Sequence, residues 1–294
     1  MRVRRLQQRT CRLLRVSLYA WCVCMLVQWL LAGSYVQGRA WRDASADRAW
    51  PRHVLVLTAH PDDECMFFGP TIQSLLKLNV TISALCLSRG NAEGLGAIRE
   101  QELTASYGVL GVPRERVTCI DDHALQDGMQ EEWNPRHIQD VIETHLRFTL
   151  PGQLLSNNHH NMTRTDVEAI LTFDEGGVSL HPNHRATYEG ARMYVEDMRA
   201  RKQGDHKPPA LWSLYSLTWR TKFLGPFSGV AQRWSRSDYV FLAPLRMYVT
   251  SLAAMRRHRT QLVWFRYLYV IFSSYMQANR IYSTTTVSYT HLRA

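Results

Sequence analysis

Apolar and polar positions alternate along the chain in blocks that predict strands and helices in turn. Short apolar runs predict strands at 53–59, 80–87, 117–120, 168–173 and, last in the chain, near 211–217. Helical spacing of apolar residues predicts helices at 65–78, 95–110, 136–148 and 183–201. Strands that alternate with helices indicate a layered α/β domain.

One long uncharged stretch precedes this domain. Residues 16–38 carry no charge, and such a run is long enough to cross a bilayer as a helix. We therefore predict a transmembrane anchor over 16–38, between a basic arm at 1–15 and a linker at 39–50. A cleaved signal peptide is the alternative, because small residues at 32–34 follow the apolar run. We favour the anchor, since the run exceeds the ~7–15 apolar residues that are usual in signal peptides.

The positive charge of the chain is concentrated near this stretch. The first 52 residues hold ten arginines and two aspartates, a net charge of +8, which leaves +2 of the total +10 for the remaining chain. A basic arm beside an apolar run favours contact with anionic lipid over nucleic acid. The 46% hydrophobic and 20% charged composition excludes a disordered protein.

Two polar clusters follow predicted strands. The first, A-H-P-D-D-E at 59–64, places His60 before three consecutive carboxylates, which repel one another unless a cation is bound. The second, F-D-E-G-G-V-S-L-H-P-N-H-R at 173–185, follows the strand at 168–173. Ligands bind at the carboxyl ends of parallel strands, so the two clusters are expected to meet in one cleft.

Four motifs, in this order, resemble the PIG-L/LmbE-like deacetylase family. They are A-H-P-D-D-E at 59–64, L-S-R-G-N-A-E-G-L-G at 87–96, T-F-D-E-G-G-V-S at 172–179 and H-P-N-H-R at 181–185. The resemblance implies a Rossmann-like, mainly parallel sheet flanked by helices over 51–283. It also implies a zinc ion, or another divalent metal, and removal of the acetyl group from N-acetylglucosaminyl-phosphatidylinositol, the second step of glycosylphosphatidylinositol anchor synthesis.

The resemblance also assigns roles to single residues. His60, Asp63 and His184 match the family's metal ligands, Asp62 its general base, and His181 the histidine near the developing oxyanion. Two imidazoles and one carboxylate leave zinc an open position for a water, whose pKa the ion lowers to ~7. Asp62 would take a proton from that water, and a protonated His181 could pass one to the departing amine.

Several further polar residues have two possible roles, one in the site and one in stabilising the local structure. The resemblance offers Arg89, Asn91, Glu93 and Arg185 as contacts of the sugar or inositol phosphate, and stabilisation of the 87–96 loop is the alternative for the first three. Glu64 either anchors its loop and caps the next helix or touches the metal. Asp174 and Glu175 fit turn positions better than catalysis. Asn183 stands where bacterial relatives often carry aspartate, which weakens any charge effect on the neighbouring histidines.

The remaining segments carry weaker signals. The histidines at 123, 137, 145, 159, 160 and 258 are predicted to lie on the surface. The apolar run at 262–272 is too short to span a bilayer, and we leave open whether it is buried in the core or inserted shallowly at a membrane face. Residues 149–166 are predicted to form an inserted surface loop. The tail at 284–294 matches nothing expected of the family.

The resemblance implies a catalytic domain on the cytosolic face of the endoplasmic reticulum, and arginine placement leans slightly the other way. We follow the resemblance, because the six cysteines show no C-x-x-C pair and are compatible with a reducing compartment. Two sequons, at Asn79 and Asn161, provide a test, since a glycan on Asn161 would place the domain in the lumen.

Two rival functions are weighed against deacetylation. A phosphoesterase using Mg²⁺ is disfavoured by the two histidine ligands, because Mg²⁺ prefers oxygen. A catalytically silent membrane scaffold would not need Asp62 beside Asp63. The pattern makes no prediction about protein partners or oligomeric state.

Overall fold

A computed structural model of the chain describes residues 11–12, 15–23, 26–27, 36–37, 50–149, 167–201, 208–232, 237 and 239–283. The predicted basic arm, linker, inserted loop and tail lie wholly or almost wholly outside these ranges. The predicted anchor lies partly outside them. Within the described ranges, no helix combines the length and the apolar character needed to cross a membrane. The anchor over 16–38 therefore stays a prediction.

The described residues form one eight-stranded mixed sheet. Its strands are β1 (Val36–Gln37), β2 (His53–Thr58), β3 (Thr81–Cys86), β4 (Val117–Cys119), β5 (Ala169–Phe173), β6 (Ala210–Leu214), β7 (Tyr239–Leu242) and β8 (Ala278–Ser283). They lie in the order β1-β7-β8-β6-β5-β2-β3-β4. Neighbours from β6 to β4 are parallel, and β8, β7 and β1 join antiparallel.

The prediction of a parallel sheet is thus correct for β2 to β6 and does not hold for the three antiparallel strands β1, β7 and β8. The expectation that the strand near 211–217 is the last one is wrong, because β7 and β8 follow it and extend the sheet beyond β6. β8, with the sequence A-N-R-I-Y-S, mixes polar and apolar residues and lacks the apolar run that marks β2. β7, with the sequence Y-V-F-L, is an apolar run of the same length as that in β2, and it was missed although its sequence carries the signal.

Ten labelled helices surround the described sheet. They are α1 (Asp63–Phe67), α2 (Gly69–Lys77), α3 (Gly96–Leu110), α4 (Pro135–Thr144), α5 (Gly177–Leu180), α6 (Pro182–Arg201), α7 (Trp219–Lys222), α8 (Pro226–Gln232), α9 (Leu245–Met255) and α10 (Trp264–Phe272). The helix predicted over 65–78 is two helices, since Pro70 has no N–H to continue the first one and instead opens the second. Helices α4 and α6 pack against each other, and α9 packs against α2 and α3.

Strand β2 lies at the point where the chain order of the parallel strands reverses. Val54 is opposite Ile82 of β3 on one side and Ala169 of β5 on the other. All six residues of β2 are buried, as expected for a central parallel strand covered on both faces. Such a reversal opens a crevice beyond the carboxyl ends of the two strands that flank it. Both polar clusters of the sequence begin there, after β2 and after β5.

Candidate metal centre and active site

Three side chains from the two clusters converge beyond β2 and β5. His60, Asp63 and His184 each offer one ligand atom, and these atoms lie within 4.8 Å of one another. The Nε2 atom of His184 is 3.3 Å from Oδ1 of Asp63, and Nδ1 of His60 is 3.9 Å from Oδ2. All three residues are buried. The structure therefore brings together the residues that the sequence predicts as metal ligands.

Neighbouring groups orient each of these rings. His184 Nδ1 lies 3.2 Å from the carbonyl oxygen of Gly177, to which it can donate, so Nε2 is left facing Asp63. The His184 ring also stacks on Phe173, with centroids 4.0 Å apart and planes 2° from parallel. The Nε2 atom of His60 lies 3.1 Å from Oδ1 of Asn183, which leaves Nδ1 for the ligand position. Asn183 thus still orients His60 although it carries no charge.

The protonation states suit metal binding. Burial lowers the pKa of His60, and the nearby His184 lowers it further, although Asp63 and another carboxylate act in the opposite direction. Burial alone would raise the pKa of Asp63, but His184, His60 and a backbone N–H lower it to about 2. Asp63 Oδ2 accepts from the backbone N–H groups of Ala59, at 3.0 Å, and His60, at 2.8 Å. A neutral imidazole and an ionised carboxylate are the forms that bind a metal.

The distance between one pair of ligand atoms, and the donor set as a whole, are compatible with zinc. Two atoms about 2.0 Å from one ion, at a tetrahedral angle, lie roughly 3.3 Å apart. The distance between His184 Nε2 and Asp63 Oδ1 is 3.3 Å. Two nitrogen ligands and one oxygen ligand match open zinc sites better than magnesium sites, which prefer oxygen only. The donor set therefore fits a zinc ion, or another transition metal that binds imidazole.

Asp62 lies beside this cluster in a strained conformation. Its φ angle of 102° is in the left-handed region, which costs roughly 1–3 kcal/mol for a residue other than glycine. Its backbone N–H donates to Oε2 of Glu64 at 3.1 Å, and its Oδ2 pairs with Nη2 of Arg266 at 2.8 Å. Burial raises the pKa of Asp62 to about 7, even though Arg266 lowers it. A carboxylate with that pKa is suited to take and return a proton near neutral pH.

Glu64 anchors the loop rather than facing the ligand cluster. Its Oε1 accepts from the Ser106 hydroxyl and lies 2.7 Å from His258 Nε2, and its Oε2 accepts from the Asp62 N–H. His258 is fully buried, so its predicted surface location is wrong. His145 is also buried, against the prediction, and burial lowers its pKa to about 4. Surface placement is confirmed for His123, whereas 159 and 160 lie outside the described residues.

His181 stands at the edge of the ligand cluster. Its ring centroid is 5.0 Å from that of His60 and 4.7 Å from that of His184. Burial, together with these two histidines, lowers its pKa to about 4. The backbone N–H of Asn183 donates to Nδ1 at 3.3 Å, so a neutral ring carries its proton on Nε2. In this neutral state His181 can donate one hydrogen bond through its Nε2–H, but it carries no additional proton that it could transfer to a leaving amine.

The predicted sugar contacts have partners within the protein. Arg89 pairs with Glu100 at 2.8 Å and Asp121 at 2.5 Å. Asn91 accepts from the backbone N–H of Gly96 at 2.8 Å, and Glu93 pairs with Arg99. These bonds stabilise the loop, and a role of these residues in substrate binding stays a prediction.

Arg185 and the turn before it have a different environment. Arg185 lines an open cleft together with Trp133 and Glu175, and its Nε donates to the carbonyl oxygen of Glu175 at 3.1 Å. Its predicted contact with substrate is compatible with this position and stays a prediction. Asp174 accepts from the backbone N–H groups of Gly176 and Gly177, at 3.0 Å and 3.1 Å. This confirms that Asp174 is a turn residue.

Two residues at the site were missed in the sequence. Asp127 Oδ1 lies 3.1 Å from His60 Nε2, and with His60 and His181 it forms a second group of possible metal ligands. It comes from a polar loop without periodicity, so no pattern marks it. Arg266, the partner of Asp62, is the single charge in the apolar run 262–272. A lone cation in such a run is a signal for a buried acidic partner.

Comparisons with known proteins agree with this geometry. A family model described as GlcNAc-PI de-N-acetylase, PIG-L, matches residues 55–195. The chain is 35% identical over 237 residues to the probable N-acetylglucosaminyl-phosphatidylinositol de-N-acetylase of Schizosaccharomyces pombe, covering 77% of this chain and 84% of that one. It is 34% identical over 230 residues to the N-acetylglucosaminyl-phosphatidylinositol de-N-acetylase of Bos taurus, covering 77% and 81%.

A solved structure shares the fold. The N,N'-diacetylchitobiose deacetylase from Pyrococcus horikoshii aligns with a TM-score of 0.53 at 18% identity, covering 79% of this chain and 83% of that chain. At this level of identity the likeness concerns the fold alone.

Proposed function

Because the chain belongs to the PIG-L family of GlcNAc-PI de-N-acetylases, an LmbE-like α/β family of amide hydrolases, we propose that it hydrolyses the acetamide of N-acetylglucosaminyl-phosphatidylinositol. The products are glucosaminyl-phosphatidylinositol and acetate, and the step belongs to glycosylphosphatidylinositol anchor synthesis. One observation carries the proposal. The ligand cluster of His60, Asp63 and His184 lies directly beside Asp62, whose pKa burial raises to about 7.

His60, Asp63 and His184 would hold the metal ion, for which we propose zinc. A bound ion of this kind lowers the pKa of a water and polarises a carbonyl oxygen. Asp62 accepts a proton from the attacking water as its oxygen bonds to the acetyl carbon. Arg266, 2.8 Å from Asp62, holds the carboxylate in place and favours its ionised form.

His181 and Asp62 complete the reaction. The Nε2–H of neutral His181 donates to the oxyanion that forms from the acetamide oxygen. The bond between the carbonyl carbon and nitrogen then breaks, and the nitrogen takes up the proton that Asp62 received from water. We assign this return of the proton to Asp62 rather than to His181, because the lowered pKa of His181 favours the neutral ring. Acetate and a free amine leave the site.

We also propose that the catalytic domain faces the cytosol at the endoplasmic reticulum membrane, held by the predicted anchor. The free thiols of Cys65, Cys86 and Cys119 support a reducing compartment. The test is the sequon at Asn161, which the sequence predicts in a surface loop. We expect no glycan on Asn161 in cells, and a glycan there would place the domain in the lumen.

The proposed activity is tested by acetate release from N-acetylglucosaminyl-phosphatidylinositol. We compare the unaltered chain with Asp62→Asn, since asparagine tolerates the left-handed backbone of this position. Removing a general base lowers the rate by about 10²–10⁴-fold. Metal content, measured by elemental analysis, should remain that of the unaltered chain, because Asp62 is not a ligand.

Asp140→Asn serves as the matched control, because Asp140 is an exposed aspartate on α4. It should release acetate at the unaltered rate. An Asp62→Asn enzyme with full activity would contradict the assignment of Asp62 as the base. Failure of the unaltered, metal-loaded chain to release acetate would contradict the proposed substrate.

A further inference from the structure

Helix α10 exposes most of its aromatic side chains. Trp264 is 75% exposed, and Val270 is the one residue of the helix that is buried. Helix α7 and the residue that follows it lie alongside, with Trp219 76% exposed. We name the six most exposed apolar side chains of these two segments the aromatic face: Trp219, Phe223, Trp264, Phe265, Tyr267 and Leu268. Exposed apolar surface of this extent marks a contact with another molecule or a membrane.

The two segments form one continuous surface. The rings of Phe223 and Tyr269 have centroids 6.2 Å apart in an edge-on arrangement. The backbone N–H of Gly225 donates to the carbonyl oxygen of Phe272 at 2.8 Å, and the Ser274 hydroxyl donates to the carbonyl oxygen of Thr221 at 2.5 Å. These bonds join the C-terminal ends of α7 and α10, so the exposed side chains of the two segments lie close together.

The charges around the aromatic face are positive. The guanidinium of Arg220 lies 5.6 Å from the centre of the Trp219 ring, and the Lys222 ammonium lies 5.5 Å from that of Phe223. Within 208–232 and 239–283, the sequence contains no carboxylate. Residues 206–294 hold twelve lysines and arginines and one acid, a net +11, whereas 53–205 hold thirteen and twenty-two, a net −9. Such a basic, aromatic face is complementary to anionic lipid.

The aromatic face adjoins the predicted anchor. A Cβ atom placed on Gly225 would lie 3.5 Å from Nε1 of Trp21 and 3.5 Å from the carbonyl oxygens of Ile271 and Phe272. Trp21 belongs to the helical residues 15–23, which also expose Val16, Leu18 and Tyr19. Two neighbouring apolar surfaces from opposite ends of the sequence therefore meet beside α10. The apolar part of one bilayer can therefore cover both the aromatic face and the apolar side chains of residues 15–23.

We propose that the aromatic face is a lipid-contact surface that inserts shallowly into an anionic bilayer. Nine residues of helix measure about 14 Å, less than half of the ~30 Å apolar thickness, so α10 would lie in the plane of the interface. Tryptophan and tyrosine are enriched at that depth, and arginine and lysine beside them reach the headgroups. The exposure of α10 contradicts burial of 262–272 in the core, and the proposal adopts the other alternative, the membrane face.

The same helix touches the active site with its inner side. Arg266 pairs with Asp62, and Tyr269 packs against Phe67, with ring centroids 6.0 Å apart. Phe67 in turn lies 5.8 Å from the ring of His184. One helix therefore separates the lipid-contact surface from the ligand cluster.

The test is photo-crosslinking of the full chain in bilayers. We reconstitute it with phosphatidylcholine that carries a diazirine near the headgroup end of one acyl chain, with and without phosphatidylinositol, and map lipid adducts by mass spectrometry. We expect several-fold more adducts on peptides from 218–224 and 262–272 than on peptides holding the exposed apolar residues Ile98 and Met129. Phosphatidylinositol should increase the adducts on the first two peptides. No turnover is measured, so the result is independent of the proposed deacetylation.

Paired variants distinguish lipid contact at the aromatic face from non-specific labelling of exposed apolar residues. Trp264→Ser with Leu268→Ser should lower the adducts on 218–224 several-fold, whereas Ile98→Ser with Met129→Ser should leave them unchanged. Arg220→Gln with Lys222→Gln should remove the increase caused by phosphatidylinositol. Adducts on 262–272 no more frequent than on the control peptides would overturn the proposal, whatever the predicted anchor binds. Protein cross-links joining 262–272 of two copies, in place of lipid adducts, would also overturn it and identify a dimer interface.

Discussion

Two buried clusters of histidine and carboxylate lie on either side of Asp62, and they do different work. The ligand cluster is His60, Asp63 and His184, and we name the other, Glu64, Ser106 and His258, the support cluster. In the ligand cluster, Asp63 Oδ1 lies 3.3 Å from His184 Nε2, and the ligand atoms of all three residues lie within 4.8 Å of one another, close enough to share one ion. In the support cluster, both oxygens of Glu64 already accept hydrogen bonds from the protein. A buried histidine beside a buried carboxylate therefore does not by itself imply a metal site.

The two clusters also differ in charge. Burial lowers the pKa of His60, which keeps its ring neutral and free to bind a metal. Burial lowers the pKa of His258 as well, but the charge of Glu64 and the hydrogen bond to it outweigh burial and raise that pKa. Burial and the carboxylates of Glu64 and Asp62 raise the pKa of Cys65, so this neighbour of Glu64 stays a thiol. The support cluster is therefore an internal ion pair rather than a second metal site.

The largest expected effect comes from removing a ligand. His184→Gln keeps a donor for the Gly177 carbonyl and a side chain of similar volume, but it removes the imidazole. Loss of metal charge stabilisation of ~4 kcal/mol lowers the rate of acetate release by roughly 10³-fold. The free energy of unfolding of the metal-free protein should change by less than about 1.5 kcal/mol. Elemental analysis, acetate release and urea unfolding provide the three measurements, and full metal content would remove His184 from the ligand set.

Substitution in the support cluster should have a large effect on the free energy of unfolding and a small effect on metal affinity. Glu64→Ala leaves the Asp62 N–H, the Ser106 hydroxyl and the His258 ring without their acceptor, which costs about 3–5 kcal/mol of unfolding free energy. Metal affinity should fall only about 10–100-fold, as for groups that position ligands indirectly. Urea unfolding and metal titration measure the two effects. Glu115→Ala, at an exposed glutamate, is the matched control. Unchanged stability in Glu64→Ala would end the distinction between the clusters.

These clusters show what sequence can reveal and what it cannot. His60, Asp62 and Asp63 directly follow the apolar run of β2, and His181 and His184 come shortly after β5, so local pattern and strand topology together predict that they meet. His258 joins Glu64 from 194 residues away, and no periodicity encodes that contact.

The same reason explains the missed half of the sheet. β8 pairs with β6 and β7 through backbone bonds that any sequence can make, and its polar residues are satisfied by tertiary contacts such as Asn279 with Thr71. The break between α1 and α2, in contrast, is readable from Pro70 alone. Local backbone chemistry is thus more predictable than contacts between distant segments.

A smaller effect on the rate of acetate release is expected from substitution of Arg266. This residue of α10 pairs with Asp62, the proposed base, which lies between the two clusters. Arg266 lowers the pKa of Asp62, so Arg266→Gln should raise it by about one unit or more and leave more of the base protonated at pH 7. Acetate release at pH 7 should fall about fivefold or more and recover as pH rises, because a pKa raised from about 7 to about 8 lowers the ionised fraction at pH 7 from about one half to about one tenth. Profiles of kcat/KM against pH for Arg266→Gln and Arg266→Lys measure the shift. Arg256→Gln, at an exposed arginine, is the control, and a loss that persists at high pH would show a structural role only.

The last effect, on stability alone, sharpens the charge difference between the clusters. Because the pKa of His258 is raised in the folded protein, the folded state binds more protons than the unfolded state above the ordinary histidine pKa of ~6.5. The stabilisation is fully present below that pH and is lost as pH rises through the folded pKa. His258→Gln keeps a donor for Glu64 but cannot carry charge, and it should cost about 1.5–3 kcal/mol at pH 6 and less at higher pH.

Urea unfolding of the metal-free protein between pH 5.5 and 9 measures this difference, with the values compared at each pH. His123→Gln, at an exposed histidine, should follow the unaltered chain throughout. A gap that narrows as pH falls below ~6.5 would mean that His258 is neutral in the folded protein, because the ring would then gain its proton only on unfolding. In that case both clusters would hold neutral histidines, and the saturated hydrogen bonds of Glu64 alone would distinguish the support cluster from the ligand cluster.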